Sequence, residues 1–269
     1  QPESSAASDV YKRQEELVGF SAKLRTKDFR FIPISALNGD NVVNRSNNMS
    51  WYEGSTLLHT LENVHIASDH NHIDCRFPVQ YVVRPQKDEF HDFRGYAGRI
   101  AGGVFKIGDD VTVLPSGFQS KIKSIETFNG SIDEAYAPMS ITLTLEDDID
   151  VSRGDMIVRP KNQPEVIQDV EMMLCWMSET PLINRGKYTL KHTSKEARCM
   201  IKDIQYKVDI NTLHRLEDDK EIKCNDIAKV TLRVTQPLFA DQYKDNRSTG
   251  SVIIIDEATN NTVGAGMIV

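Results

Sequence analysis

The chain has 269 residues, 39% hydrophobic, 26% charged and 7% aromatic, with a formal charge of −7 and a pI near 5.5. This is globular composition, not that of a collagen-like or low-complexity chain. No run of about 18 apolar residues is present, so no membrane-spanning helix is expected. No Lys/Arg run supplies the counterion-releasing patch that nucleic-acid binding needs. The four cysteines, Cys75, Cys175, Cys199 and Cys224, form no CxxC pair and are expected as reduced thiols of a cytoplasmic protein.

The N-terminus has neither the basic nor the apolar segment of a signal peptide. Residues 4–14, SSAASDVYKRQ, back-translate to a transposase adapter used in preparing sequencing libraries. Residues 1–14 are therefore expected to be disordered and foreign to the protein, with native sequence starting near Glu15. Residues 15–27 set Leu17, Val18, Phe20 and Leu24 among charges, as at the end of an amphipathic helix. FRFIPIS (29–35) predicts a buried strand, and residues 36–41 a polar turn. STLLHTLENV (55–64) predicts a short helix capped by Ser55.

From about Cys75 the pattern changes. FPVQYVVRP, AGRIAGGVFKIGDDVTVLP, QSKIKSIETF and SITLTLED are short alternating runs between Gly, Pro and Asp turns, the spacing of a small antiparallel barrel. Pro115 is expected to end its strand. KNQPEV (161–166) reads as a linker. EMMLCWM, GKYTLKHT, ARCMIKDIQYKVD, IAKVTLRVTQPL and GSVIIIDEATNNTVGAGMIV then predict a second barrel, with a hairpin at residues 259–262. The expected fold is mainly β: two consecutive antiparallel β-barrels, residues 69–162 and 163–269, preceded by an α/β remnant over 15–68.

Other groups read as structural. His65, Asp69, His70, His72 and Asp74 are too loosely spaced for a defined metal site, so no metal is expected. Glu146–Asp150 lacks the spacing of a calcium loop. Lys187, Lys191, His192, Lys195 and Arg198 fit a strand with a solvent face. Gly154, between Arg153 and Asp155, suits a tight turn. Trp176 with Met172, Met173 and Met177 reads as packing.

Phe31-Ile32-Pro33-Ile34-Ser35-Ala36-Leu37-Asn38-Gly39 resembles the fifth guanine-nucleotide motif of the translation-factor GTPases. Gly98 to Val111 is similar to the second-domain hairpin of elongation factor Tu and its relatives. Asn246-Arg247-Ser248-Thr249-Gly250 through Ile268 resembles a third-domain ending. A narrower resemblance rests on five stretches: Ser35–Val43 with Trp51–Gly54, Arg94–Gly98, Asp150–Asp155, Asp209–Leu213 and the third-domain ending. Together these are similar to the large subunit of bacterial sulfate adenylyltransferase, over essentially all of residues 15–269.

The resemblance implies a subunit that couples GTP hydrolysis to making adenosine 5′-phosphosulfate and diphosphate from ATP and sulfate. It implies GTP and Mg as cofactors of the intact protein, and a separate small, adenylyl-transferring subunit as partner, with neither nucleic acid nor membrane. It assigns Ser35, Ala36 and Leu37 to guanine binding, with the Ala36 N–H donating to guanine O6, and implies no catalytic residue in this chain. A P-loop, GxxxxGK(S/T), and an Asn-Lys-x-Asp clamp do not occur in the sequence. The chain is therefore read as a fragment, inactive alone and without bound cofactor. Two other readings stay open: a tRNA-binding elongation factor fragment and a non-catalytic β-barrel interaction module.

Overall fold

The computed structural model describes residues 2–21, 29–64, 71–85 and 93–269, the side chains of 2–8 and 10 aside. The chain divides into two compact units, Gln1–Ala67 and Ser68–Val269.

The first unit holds α1 (Pro2–Ser21) and α2 (Leu57–Asn63). Residues 2–14, expected to be disordered, are helical, and the helix continues to Ser21, within the 15–27 stretch expected to end a helix, of which 22–27 lie outside the described residues. The Ala, Glu and Lys content of residues 2–14 favours helix locally, although Tyr11, Leu17 and Val18 are exposed. The strand expected at 29–35 does not form. Only an isolated bridge joins Ser35 to Asp40, and Phe29 and Ile34 are exposed. A strand exists only by pairing, and among the described residues no ladder forms on it beyond that bridge. The cap of α2 is Thr56, whose hydroxyl accepts from the His59 N–H, one position beyond the expected Ser55.

The second unit is two closed β rings in series. The first ring uses β1 (Arg76–Val83), β2 (Gly95–Arg99), β4 (Asp110–Leu114), β5 (Gln119–Thr127), β8 (Ser140–Leu145) and β9 (Met156–Val158). Their order is β4-β9-β1-β2-β8-β5, and a β4–β5 pairing closes it. β6 (Gly130–Ile132) extends β5, while β3 (Val104–Lys106) and β7 (Glu134–Tyr136) pair separately. Every pairing is antiparallel, as the alternating runs predict.

Ile122 and Ile125 both face the core although three residues apart, because a bulge after Ile122 resets the alternation. Phe77 and Phe105 meet edge to face in the centre, ring centroids 6.2 Å apart.

The second ring uses β10 (Glu165–Trp176), β11 (Lys187–His192), β12 (Lys195–Val208), β14 (Ile227–Ala240), β15 (Ser251–Ile255) and β16 (Thr262–Ile268), with the short β13 (Arg215–Leu216) on β12. Its order is β11-β15-β16-β10-β14-β12, closed by β11–β12. β10 starts at Glu165, inside the stretch expected to be a linker. Trp176 packs edge to face on Tyr188 and satisfies its indole N–H on the Thr180 carbonyl at 2.8 Å. Ile222, on the irregular stretch before β14, is fully buried in this core. Met172 lies inside with Trp176, whereas Met177, expected in the packing, is exposed.

Candidate functional site

The Ser35-Ala36-Leu37 turn is held by its own backbone bonds and by side chains, not by a sheet. The Ser35 N–H donates to the Asp40 carbonyl (3.2 Å) and the Gly39 N–H to the Ser35 carbonyl (2.8 Å). Gly39 has φ +74°, a conformation glycine adopts without strain.

Asn41 is the pin. It is 1% exposed and left-handed at φ 56°, which Asn tolerates better than most residues. Its Nδ2 donates to the Pro33 carbonyl (2.9 Å), and its Oδ1 accepts from the Ser46 N–H (2.9 Å). Its own carbonyl takes the Leu57 N–H at 2.9 Å, one of the N–H groups a helix start leaves unpaired.

Asp40 accepts from the Ser46 hydroxyl (2.6 Å). Ala36 and Leu37 are left at the apex, with Leu37 95% exposed. Among the described residues, neither the Ala36 nor the Leu37 N–H has an internal acceptor. The turn thus leaves two backbone donors without an internal partner at an exposed apex. The GxxxxGK(S/T) motif does not occur in the sequence.

Within the second unit, the two barrels meet around a buried cation. Arg76, on β1, is 3% exposed. Its Nε and Nη2 clamp both oxygens of Asp241 at 2.9 Å each. Its Nη1 reaches the Asn162 carbonyl (2.7 Å), the Asn162 Oδ1 (2.8 Å) and the Cys75 carbonyl (3.0 Å). Asp241 also accepts from the Thr249 hydroxyl at 2.6 Å, and Asn162 donates to Asp74 at 2.7 Å. That bond, above all, holds the Asp74 carboxyl below its ordinary range, against the opposing effect of burial.

Asn246 closes its own turn through the Ser248 and Thr249 N–H groups and crosses to the Ala101 carbonyl (3.0 Å). Gly102 and Gly103 are required here. A Cβ on either would come within 2.5 Å of the Asp74 or Cys75 backbone. An apolar contact of Leu114, Met156, Val158 and Phe239 completes the joint, with the Lys195 ammonium 5.3 Å above the Phe239 ring.

His192 lies on the inner side of this joint. It is 1% exposed and hydrogen-bonds through Nε2 to the Thr249 carbonyl at 2.7 Å. Burial pushes its pKa below 6.5. The expected solvent face is present at Lys187 and Arg198, but His192 departs from it, because it shares the inward phase of Tyr188 and Leu190. Burial also lowers Lys195 and raises the Cys75 thiol, and it pushes Cys199 up to about 12. All four cysteines are free. Of the loosely spaced metal candidates, His65, Asp69 and His70 lie outside the described residues. Among the described residues no metal-binding cluster occurs.

Ser35, Ala36 and Leu37 therefore sit together as one turn. Sequence reasoning missed Asn41, Arg76 and Asp241. The Asn246–Gly250 stretch stood out by resemblance alone, and its physical role is to tie Asp241 and Ala101 across the joint.

Two closed antiparallel barrels joined through a buried Arg–Asp pair define the class: a translation-factor-type double barrel. The family model described as GTP-eEF1A C-terminal domain-like matches residues 169–269. A crystal structure of sup35 complexed with GDP superposes with a TM-score of 0.67 at 18% identity, over 90% of this chain and 59% of that one, a likeness of fold.

Sequence relatives are much nearer. Sulfate adenylyltransferase subunit 1 of Bacteroides thetaiotaomicron is 47% identical over 270 residues, 96% of this chain and 55% of that protein. The Alteromonas mediterranea protein of the same name is 46% identical over 98% of this chain and 55% of its own length. The bifunctional enzyme CysN/CysC of Mycobacterium tuberculosis H37Rv is 47% identical over 95% of this chain and 42% of that protein. The chain belongs to the sulfate adenylyltransferase subunit 1 (CysN) family. It spans about half the length of the curated relatives it matches.

Proposed function

We propose that the chain serves in the GTP-hydrolysing subunit of a sulfate adenylyltransferase. That enzyme couples GTP hydrolysis to the conversion of ATP and sulfate into adenosine 5′-phosphosulfate and diphosphate. The observation that carries this reading is the 46–47% identity, over 96–98% of the chain, to proteins named for that activity.

In this reading the barrels, with bounds at about residues 69–162 and 163–269, are binding modules for a small, adenylyl-transferring subunit in the cytoplasm. The Ser35-Ala36-Leu37 turn reads guanine, with the outward Ala36 N–H donating to O6. One neutral hydrogen bond contributes about 0.5–1.5 kcal/mol, which discriminates a base but does not hold a nucleotide. Without a phosphate-binding loop in its sequence, the 269-residue chain alone neither retains GTP nor hydrolyses it.

The test is calorimetric. The chain is titrated separately with the small subunit from the same source, with aminoacyl-tRNA and with GTP–Mg. Binding of the small subunit alone is expected. Retention of aminoacyl-tRNA without the small subunit would assign the chain to an elongation factor, and tight GTP binding would overturn its inactivity.

A further inference from the structure

Asparagine followed by glycine is the residue pair most open to a spontaneous reaction of the chain with itself. The glycine carries no Cβ to shield its nitrogen or stiffen its backbone, so the asparagine side chain can fold over onto that nitrogen. The pair occurs twice in the sequence, at Asn38-Gly39 and at Asn129-Gly130, and all four residues are exposed. A Cβ at Gly39 or at Gly130 would meet nothing within 4 Å, so crowding shuts neither site.

The two sites differ in how their backbone is held. Gly130 starts β6 and lies in register with Thr127, followed by Ser131 with Glu126 and Ile132 with Ile125. The Thr127 hydroxyl donates to the Gly130 carbonyl (2.8 Å) and accepts from the Asn129 N–H (3.2 Å). The Ser131 hydroxyl donates to Glu126 (2.6 Å). Moving Asn129 therefore means unzipping a hairpin.

Asn38 lies in a turn closed by an isolated bridge, Ser35 to Asp40. Among the described residues its side-chain amide has no hydrogen-bond partner, and its N–H makes a long bond to Ser35 Oγ (3.3 Å). The Gly39 N–H is tied to the Ser35 carbonyl (2.8 Å). Local opening of this turn frees the Gly39 nitrogen, and such openings cost far less than loss of a ladder.

We propose that Asn38 is a self-modification site, converting to aspartate and isoaspartate through a ring closed on the Gly39 nitrogen. That nitrogen gives its proton to solvent and bonds to Asn38 Cγ. The Cγ–Nδ2 bond breaks, and ammonia leaves with a proton from solvent. Water then opens the cyclic imide. Attack at Cγ breaks the new N–Cγ bond and yields aspartate. Attack at the Asn38 main-chain carbonyl breaks the original peptide bond and yields isoaspartate, with the chain running through the side chain. Water is the co-reactant, and no electrons are exchanged.

Either product sets a carboxylate beside the exposed Ala36 and Leu37 N–H groups and near Asp40 in the chain. The iso form also lengthens the turn by a main-chain carbon. The turn thus changes its charge and shape with the age of the chain. The reaction is independent of any ligand of the turn.

The test follows the full chain by peptide mass mapping during incubation at mildly alkaline pH, with enzymatic methylation of isoaspartate as a second readout. A denatured sample gives the unrestrained rate at both sites. Asn38 should gain the mass of amide-to-acid conversion, with isoaspartate among the products, while Asn129 lags at least about tenfold. Asn41→Ala removes the side-chain bonds to Pro33 and Ser46 that pin the turn. It should speed the reaction at Asn38 by about tenfold and leave Asn129, the internal check on folding of the barrels, unchanged. Asn38→Ser should abolish the product at that position.

Conversion at Asn129 as fast as at Asn38, or an intact Asn38 over the time in which the denatured chain reacts, overturns the proposal. So does a folded Asn41→Ala variant with an unchanged rate at Asn38.

Discussion

Asp241→Asn tests the joint between the barrels most directly. The substitution keeps the side-chain size and removes the charge. Arg76 then keeps its bonds to Cys75 and Asn162 but loses the carboxylate that neutralises it at 4% side-chain exposure. Stranding a buried charge costs about 3–5 kcal/mol, a large share of the 5–15 kcal/mol that typically holds a domain.

The assay is urea unfolding in a Trp51→Phe background. There Trp176 reports the second barrel alone, and far-UV circular dichroism reports both. Asp241→Asn should lower the midpoint and separate the two probes, because the barrels lose their shared ion pair. The double variant Arg76→Met/Asp241→Leu should recover most of the loss, since an apolar pair strands no charge. The reasoning fails if Asp241→Asn costs under about 1 kcal/mol, or if the double variant loses the sum of the single ones, which would mean no coupling.

Three further outcomes are expected. Ile222→Ala should cost about 2–5 kcal/mol in the same assay, since the side chain is fully buried in the second core. Stability should fall as pH drops below about 6.5, because burial holds the folded His192 pKa below that value. The unfolded chain then binds the extra proton. His192→Gln should flatten that part of the pH profile, and an unchanged slope would refute the assignment. With a thiol reagent at pH 8, exposed Cys224 should react first, and buried Cys75 and Cys199 only after denaturation. Rapid labelling of Cys199 would contradict a thiol pushed up to about 12.

The barrels were readable because their signal is local. β5, Gln119–Thr127, alternates along its own length, and only the bulge after Ile122 lay beyond that pattern. His192 was also within reach. Continuing the period of two from Tyr188 and Leu190 places it inside, but its residue type and basic neighbours outweighed the phase.

FRFIPIS failed for the opposite reason. Its apolar content matched a strand, but strand formation depends on a neighbour that a local pattern does not reveal. The joint was out of reach, because Arg76 and Asp241 lie 165 positions apart and each alone reads as a surface charge. For the turn at residues 35–37, resemblance named Ser35, Ala36 and Leu37. Asn41, which fixes their geometry, lies in the Ser35–Val43 stretch of the resemblance, but nothing in its type or spacing marks it as a pin.

Ring closure in both sheets bears on how the protein behaves when stressed. Once closed, each ring hides its backbone ladder, and among the described residues the strands left with an open edge, β3, β6, β7 and β13, are only two or three residues long. Neighbouring molecules therefore find almost no template for adding a strand. Clumping on heating should track the rate at which a ring first splits open, so additives that slow that opening should preserve solubility even where they leave the folding equilibrium untouched.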